Sequence, residues 1–162
     1  MYAFADRGGR QLCLRPEGTA TLQALARSWK GSRRDVRLWY VARCWRYERP
    51  QAGRYREFTQ FGVELLCPRA DARDELMALA EQMVAAFTTG YELAPAVSRR
   101  LAYYVGDGFE ISCRQRGAQK QVVGGGSYPE GAGFAIGVER LILAAAAAPQ
   151  QTQQLRGKSR NS

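Results

Sequence analysis

The chain has 162 residues, 46% of them hydrophobic, and carries 24 Lys and Arg against 15 Asp and Glu, a formal charge of +9 with no histidine. That length suits one domain with its own core, and no apolar run approaches the roughly eighteen residues of a membrane-spanning helix; the alanine run at 144–148 is far too short. Cys13, Cys44, Cys67 and Cys113 lie far apart without a CxxC pair, which argues against zinc and for free thiols, and no charged-then-apolar leader opens the chain, so a cytoplasmic protein is expected.

Following an opening MYAF strand, a turn is expected at 7–10 and a strand over 11–15. A helix then starts after Glu17-Gly18-Thr19, carries Leu22, Leu25, Ala26 and Trp29 at helical spacing, and ends near 30–31. Two antiparallel strands, LWYVARCWRYE and RYREFTQFGVELL, flank a Pro50-Gln51-Ala52-Gly53 turn. Over 71–89, Leu76, Leu79, Ala80, Met83, Val84 and Phe87 form one helical stripe behind acidic Asp71, Asp74 and Glu75, which favour a helix start. Strands are expected near 102–105, 108–114 and 120–124, and a last helix over 137–148. From 149 onward the chain is polar and Gln-rich and reads as a disordered tail, leaving 1–148 as the domain. The fold class is α+β, an antiparallel sheet with helices packed against one face.

The stretch WRYERPQAGRYREFTQFGVE, residues 45–64, concentrates chemistry. Arg46, Arg49, Arg54 and Arg56 supply planar, permanently charged forks suited to phosphate and carboxylate oxygens. Strand alternation places Arg54, Arg56, Phe58, Gln60, Gly62 and Glu64 on one face, the floor of a pocket, and Tyr55, Phe61, Val63 and Leu65 on a core face. An ordinary solvated arginine hairpin would explain the charges alone, but not Gln60 and Glu64 in register with them. The remaining basic residues, Lys30, Arg33, Arg34, Arg37 and the QLRGKSRNS tail, form a set that either faces RNA or only aids solubility.

These residues resemble motif 2 of the histidyl-tRNA synthetases. The likeness extends to MYAFADRGGRQLCLRPEGTA, RRLAYYVGDGFE, VVGGGSY and GAGFAIGVERLI, in one order along the chain. It implies a class II synthetase core that uses ATP and Mg2+ to convert histidine to histidyl-adenylate, with transfer to a tRNA acceptor end as a further step. Within it, Arg46 would hold the amino acid carboxylate and the α-phosphate, Glu48 the adenine amino group, Arg54 the terminal phosphates and Arg140 the γ-phosphate, while Phe58 would stack on adenine. Arg99 would lie near the α-phosphate in place of a metal ion, and no protein metal site is expected; magnesium would arrive with ATP. Glu17, Thr19 and Gln60 would hold the α-amino group. Glu64 and Tyr104 would read the imidazole, a pairing that penalises any side chain lacking two polar atoms. Tyr103 belongs to the same aromatic pair, Tyr128 would close the pocket, and Gly126 lies in the glycine run that lets backbone approach the ligand.

The chain departs from the family at RRLAYY, where RGLDYY is usual, and at GGGSYP, where GGGRYD is usual. A short connection separates Tyr128 from Gly133. Only about thirty-five residues join Glu64 to Arg99, which is too few for an inserted tRNA-binding domain, and neither the motif 1 helix nor an anticodon-binding domain is seen. The sequence therefore reads as a reduced catalytic core of open oligomeric state. Two other functions fit it less well: a noncatalytic histidine-binding module resembling the regulatory subunit of ATP phosphoribosyltransferase, and a basic fragment that binds RNA or protein.

Overall fold

The computed structural model describes residues 1–29, 34–68, 70–98, 103–114 and 120–147. In chain order these form β1 (Ala3–Ala5), β2 (Gln11–Cys13), α1 (Thr19–Ser28), β3 (Val36–Trp45), β4 (Glu57–Leu66), α2 (Arg73–Ala85), β5 (Tyr91–Val97), β6 (Val105–Cys113), β7 (Gln121–Tyr128), β8 (Gly131–Gly137) and α3 (Val138–Ala147). Strands β1 and β2 make a hairpin closed by the Arg7-Gly8-Gly9 turn, in which Asp6 accepts from the Gly8 and Arg10 amides at 2.9 Å each and from Arg10 Nε at 2.7 Å. The other six form one antiparallel sheet in the order β3-β4-β8-β7-β6-β5. No helix among the described residues is long and apolar enough to cross a membrane.

Alternation along β4 sorts the two faces of this sheet. Leu65, with Phe61 and Val63, joins the main core of Phe109, Ile111, Val123, Phe134 and Ile136, which is covered by Leu76, Ala80 and Val84 of α2 and by Leu141 and Ala144 of α3. Leu66 points the other way and packs with Ala26 of α1 and Tyr128, beside Leu22, Trp29 and Leu38. Helices therefore lie on both faces, α1 opposite α2 and α3, rather than on one face as expected.

Other differences have local causes. Helix α2 ends at Ala85, so Phe87 lies beyond its last turn and is exposed, and Leu79 sits at the rim of a stripe narrowed to the i, i+4, i+8 positions Leu76, Ala80 and Val84. The short strand expected at 102–105 does not form separately; β6 begins at Val105 and Tyr103 stands in a turn, while 101–102 lie outside the described residues. Strand β5 was not anticipated because Pro95 interrupts its pattern, and Pro is accommodated here by an edge position with a register shift between Ala94 and Val97. Strand β8 was hidden in a glycine-rich run whose small residues pack directly on β4; a Cβ at Gly131 would lie 2.2 Å from the Leu65 carbonyl oxygen. All four cysteines are free thiols.

Candidate active site

The site occupies the α1 face of the sheet, where β4 carries Gln60 and Glu64 inward. The α1 start is bent against them. Gly18 is the N-cap without a side-chain cap, and its amide donates to Gln60 Oε1 at 3.2 Å. Thr19 uses its hydroxyl elsewhere, donating to Glu64 Oε1 at 2.6 Å, while Tyr128 donates to Glu64 Oε2 at 2.6 Å. Glu64 is fully buried, and that burial pushes its carboxyl pKa up to about 7 despite the two donors that favour the ionised form. Behind it only glycine fits, since a Cβ at Gly133 would lie 1.7 Å from Glu64 Oε2.

The aromatic wall is built from adjacent rings. Tyr103 donates to Glu17 Oε2 at 2.7 Å, and its ring centroid lies 4.6 Å from Tyr104 and 6.4 Å from Tyr128. Burial raises the pKa values of Tyr103 and Tyr128 above the usual phenol range, so both hydroxyls stay protonated donors. A Cβ at Gly126 would come within 2.9 Å of Tyr104, so the glycine makes room for that ring.

The other end of the site is cationic. Arg46 donates through Nε to the Pro16 carbonyl at 3.0 Å and its guanidinium lies 5.0 Å from the Phe58 ring centroid. Arg54 is ion-paired with Glu48, and Arg56 donates to the Glu48 carbonyl at 2.9 Å. Arg140, at the start of α3, donates to the Gly53 carbonyl at 2.8 Å and the Gln121 carbonyl at 2.9 Å, tying the β3–β4 loop to the last helix. Burial lowers the Arg140 pKa, and the neighbouring charges of Arg46 and Arg54 add to that shift. Beside it, Glu139 receives the Thr59 amide on both oxygens, at 2.8 and 2.9 Å.

Glu17, Thr19 and Gln60 at one end and Arg46, Glu48, Phe58 and Arg140 at the other line one cleft, with Tyr104 on its wall. The cavity measures about 120 Å³. Ligand pockets usually enclose about 300–1,000 Å³, so the cleft is narrow in this conformation. Glu64, Tyr103, Tyr128 and Gly126 form the layer behind the lining and Arg54 stands beside it through Glu48; Arg99 lies outside the described residues. Sequence reasoning missed Tyr55, Gln121 and Glu139, which also line the cleft. Tyr55 was placed on the core face by extending strand alternation back to residue 54, but β4 begins only at Glu57. Glu139 was legible as the acid preceding Arg140 in the first turn of α3. Among the described residues no group of three or more His, Cys, Asp or Glu could hold a metal ion, and Glu48 and Glu139 are both engaged by protein donors. Of the remaining basic set, Arg37 pairs with Glu75 on the surface, while Lys30, Arg33 and the tail lie outside the described residues.

The family described as tRNA synthetase class II core domain (G, H, P, S and T) matches residues 2–124. The histidine–tRNA ligase of Methanospirillum hungatei JF-1 is 28% identical over 248 aligned positions, which take in 89% of this chain and 61% of that protein. Stretches of higher identity, near 50%, span only about a fifth of the length of the ligases they match. In fold, the chain is similar to apo S. aureus histidyl-tRNA synthetase, with a TM-score of 0.70 at 22% identity, over 90% of this chain and 60% of that one. It is equally similar to an ATP phosphoribosyltransferase regulatory subunit/histidyl-tRNA synthetase from Bacillus halodurans C, with a TM-score of 0.71 at 16% identity over 89% and 67%. A cleft with its arginines and carboxylates on a six-stranded antiparallel sheet, and a match to more than half of the sequence, lead to one conclusion: the chain belongs to the class II tRNA synthetase core domain family, with histidine–tRNA ligases among its homologues.

Proposed function

We propose that the chain activates histidine with ATP, forming histidyl-adenylate and releasing pyrophosphate, with a tRNA acceptor end as the onward recipient. The observation that carries this reading is the continuity of one cleft from Glu17, Thr19 and Gln60 to Arg46 and Arg140. In the reaction a histidine carboxylate oxygen attacks the α-phosphorus and the bond to the β,γ-pyrophosphate breaks. Both partners are anions, so fixed cationic donors and orientation contribute more than a protein nucleophile would.

In this reading Arg46 holds the two reacting anions together, Arg54 and Arg140 hold the outgoing phosphates, and Phe58 offers its ring to adenine beside Glu48. Glu17, Thr19 and Gln60 take the ammonium group. Tyr104 reads the imidazole from the cleft wall and Glu64 reads it from behind, which requires the Thr19 hydroxyl that covers it to swing aside; Tyr103, Tyr128 and Gly126 fix their positions, and Arg99 adds charge at the α-phosphate. Magnesium, carried in with ATP and keeping much of its water, supplies charge neutralisation at the phosphates.

A second reading, a histidine sensor without catalysis, is favoured by one feature: Arg54 and Arg140 are both engaged by protein acceptors. Calorimetric titration separates the two. The synthetase reading expects saturable binding of both histidine and ATP–Mg2+, with ATP binding weakened at least tenfold in Arg140→Ala. Histidine binding with no ATP binding would favour the sensor.

A further inference from the structure

Tyr40 of β3 has no part in the function proposed above, yet two glycines leave room for its ring. It pairs with Gly62 of β4 across the sheet. Its ring is clamped between two glycines: a Cβ at Gly62 would lie 2.2 Å from the ring, and a Cβ at Gly18 would lie 2.2 Å from the opposite edge. The hydroxyl sits in the same narrow gap, 2.5 and 2.7 Å from those two hypothetical Cβ positions. Gly18 immediately precedes Thr19, and Gly62 lies two residues before Glu64 on the same face of β4. The Tyr40 ring therefore sets how high the Glu17–Thr19 turn stands above Glu64.

The Tyr40 hydroxyl is buried without a hydrogen-bond partner. Burial and the nearby Glu64 charge push its pKa above the usual phenol range, and the adjacent Thr19 hydroxyl opposes that shift as a weak donor would, though the Tyr40–Thr19 contact falls short of hydrogen-bond geometry in this conformation. Buried polar groups are nearly always hydrogen-bonded, so an orphaned hydroxyl calls for a physical explanation. The neighbouring pair supplies one. Thr19 has a single hydroxyl proton, which it gives to Glu64 at 2.6 Å. If Thr19 turns toward a ligand in the cleft it lines, the buried carboxylate loses one of its two donors.

We propose that Tyr40 is a positioning residue of the amino acid end of the site, whose hydroxyl replaces Thr19 as a donor to Glu64 when Thr19 engages the ligand. This rests on the amino acid-activating reading of the cleft. Tyr40→Phe keeps the ring between the glycines and removes only the orphaned hydroxyl.

The test is amino acid-dependent ATP–pyrophosphate exchange for the wild-type chain and Tyr40→Phe, alongside urea unfolding of both. The expected result is a five- to tenfold rise in KM for histidine, kcat within about twofold, and an unfolding midpoint no lower than wild type. An unchanged KM in Tyr40→Phe, with wild-type exchange intact, would overturn the role of the hydroxyl and leave the activation reading standing. A lower midpoint with unchanged KM would mean an ordinary packing residue, also overturning it. Absence of exchange in the wild type would remove the activation reading and the proposal with it.

Discussion

The Thr19 hydroxyl donates to the buried Glu64 carboxylate at 2.6 Å, joining the first residue of α1 to the C-terminal part of β4 across 45 positions of sequence. A residue type that normally caps its own helix is used here to hold a site together, and the helix start goes without a side-chain cap. Thr19→Val keeps the shape and deletes the donor. It should destabilise the fold by about 1 kcal/mol, the low end of the range for leaving a buried acceptor short of a partner because the Tyr40 hydroxyl can take over, read as a lower urea midpoint at unchanged m-value.

Glu64 makes stability depend on pH in an unusual direction. Its folded pKa, raised from 4.5 to about 7 by burial, lies above the unfolded value, so the native state binds the extra proton between these limits. Stability should then fall as pH rises from about 4.5 to 7, by up to about 3 kcal/mol from this one group. Glu64→Gln should flatten that slope. Denaturant unfolding at several pH values checks it, and equal slopes in both proteins would contradict the assignment.

Gly133→Ala tests the packing behind the same carboxylate. The added Cβ would lie 1.7 Å from Glu64 Oε2 and 2.9 Å from the Val63 carbonyl oxygen, and β8 cannot withdraw from β4 without breaking their ladder. The cost should be about 3 kcal/mol or more, against about 1–2 kcal/mol for Gly9→Ala in the exposed β1–β2 turn, where open space surrounds the new methyl and the positive φ of 77° alone sets the cost. Thermal unfolding of the two variants makes the comparison.

The Arg54–Glu48 pair is part-exposed, so its contribution to stability is small, below about 1 kcal/mol. Its functional weight should be larger. Arg54→Ala is expected to raise the KM for ATP about tenfold or more while leaving the KM for histidine within about twofold, because the proposed function assigns the two ligands to opposite ends of the cleft. Steady-state exchange kinetics with each substrate varied in turn would show this split.

Much of this architecture was legible in the sequence because it is encoded locally. The alternation from Arg54 to Glu64 put Gln60 and Glu64 on one face, and the apolar stripes marked α1 and α2. What stayed hidden depends on contacts distant in the chain. Nothing local distinguishes Gly131 and Gly133 of a strand from a loop; their small size is explained only by β4 lying against them. Tyr55 escaped because strand alternation fails where the β3–β4 loop intervenes. Nothing local marks Tyr40 in the strand LWYVARCWRYE; its place is defined by Gly18 and Gly62, on either side of it. That Glu64 stands behind the cleft lining, held by Thr19 and Tyr128, could not be read from motif spacing at all.

The most direct test of the central claim is ATP–pyrophosphate exchange with each of the twenty amino acids at matched concentration in the presence of magnesium, run beside Arg46→Ala. The account predicts exchange with histidine alone and a loss of about a hundredfold or more in the variant, the scale expected when a fixed transition-state donor is removed. Exchange that ignores the identity of the amino acid, no exchange with histidine, or an unchanged rate in Arg46→Ala would contradict it.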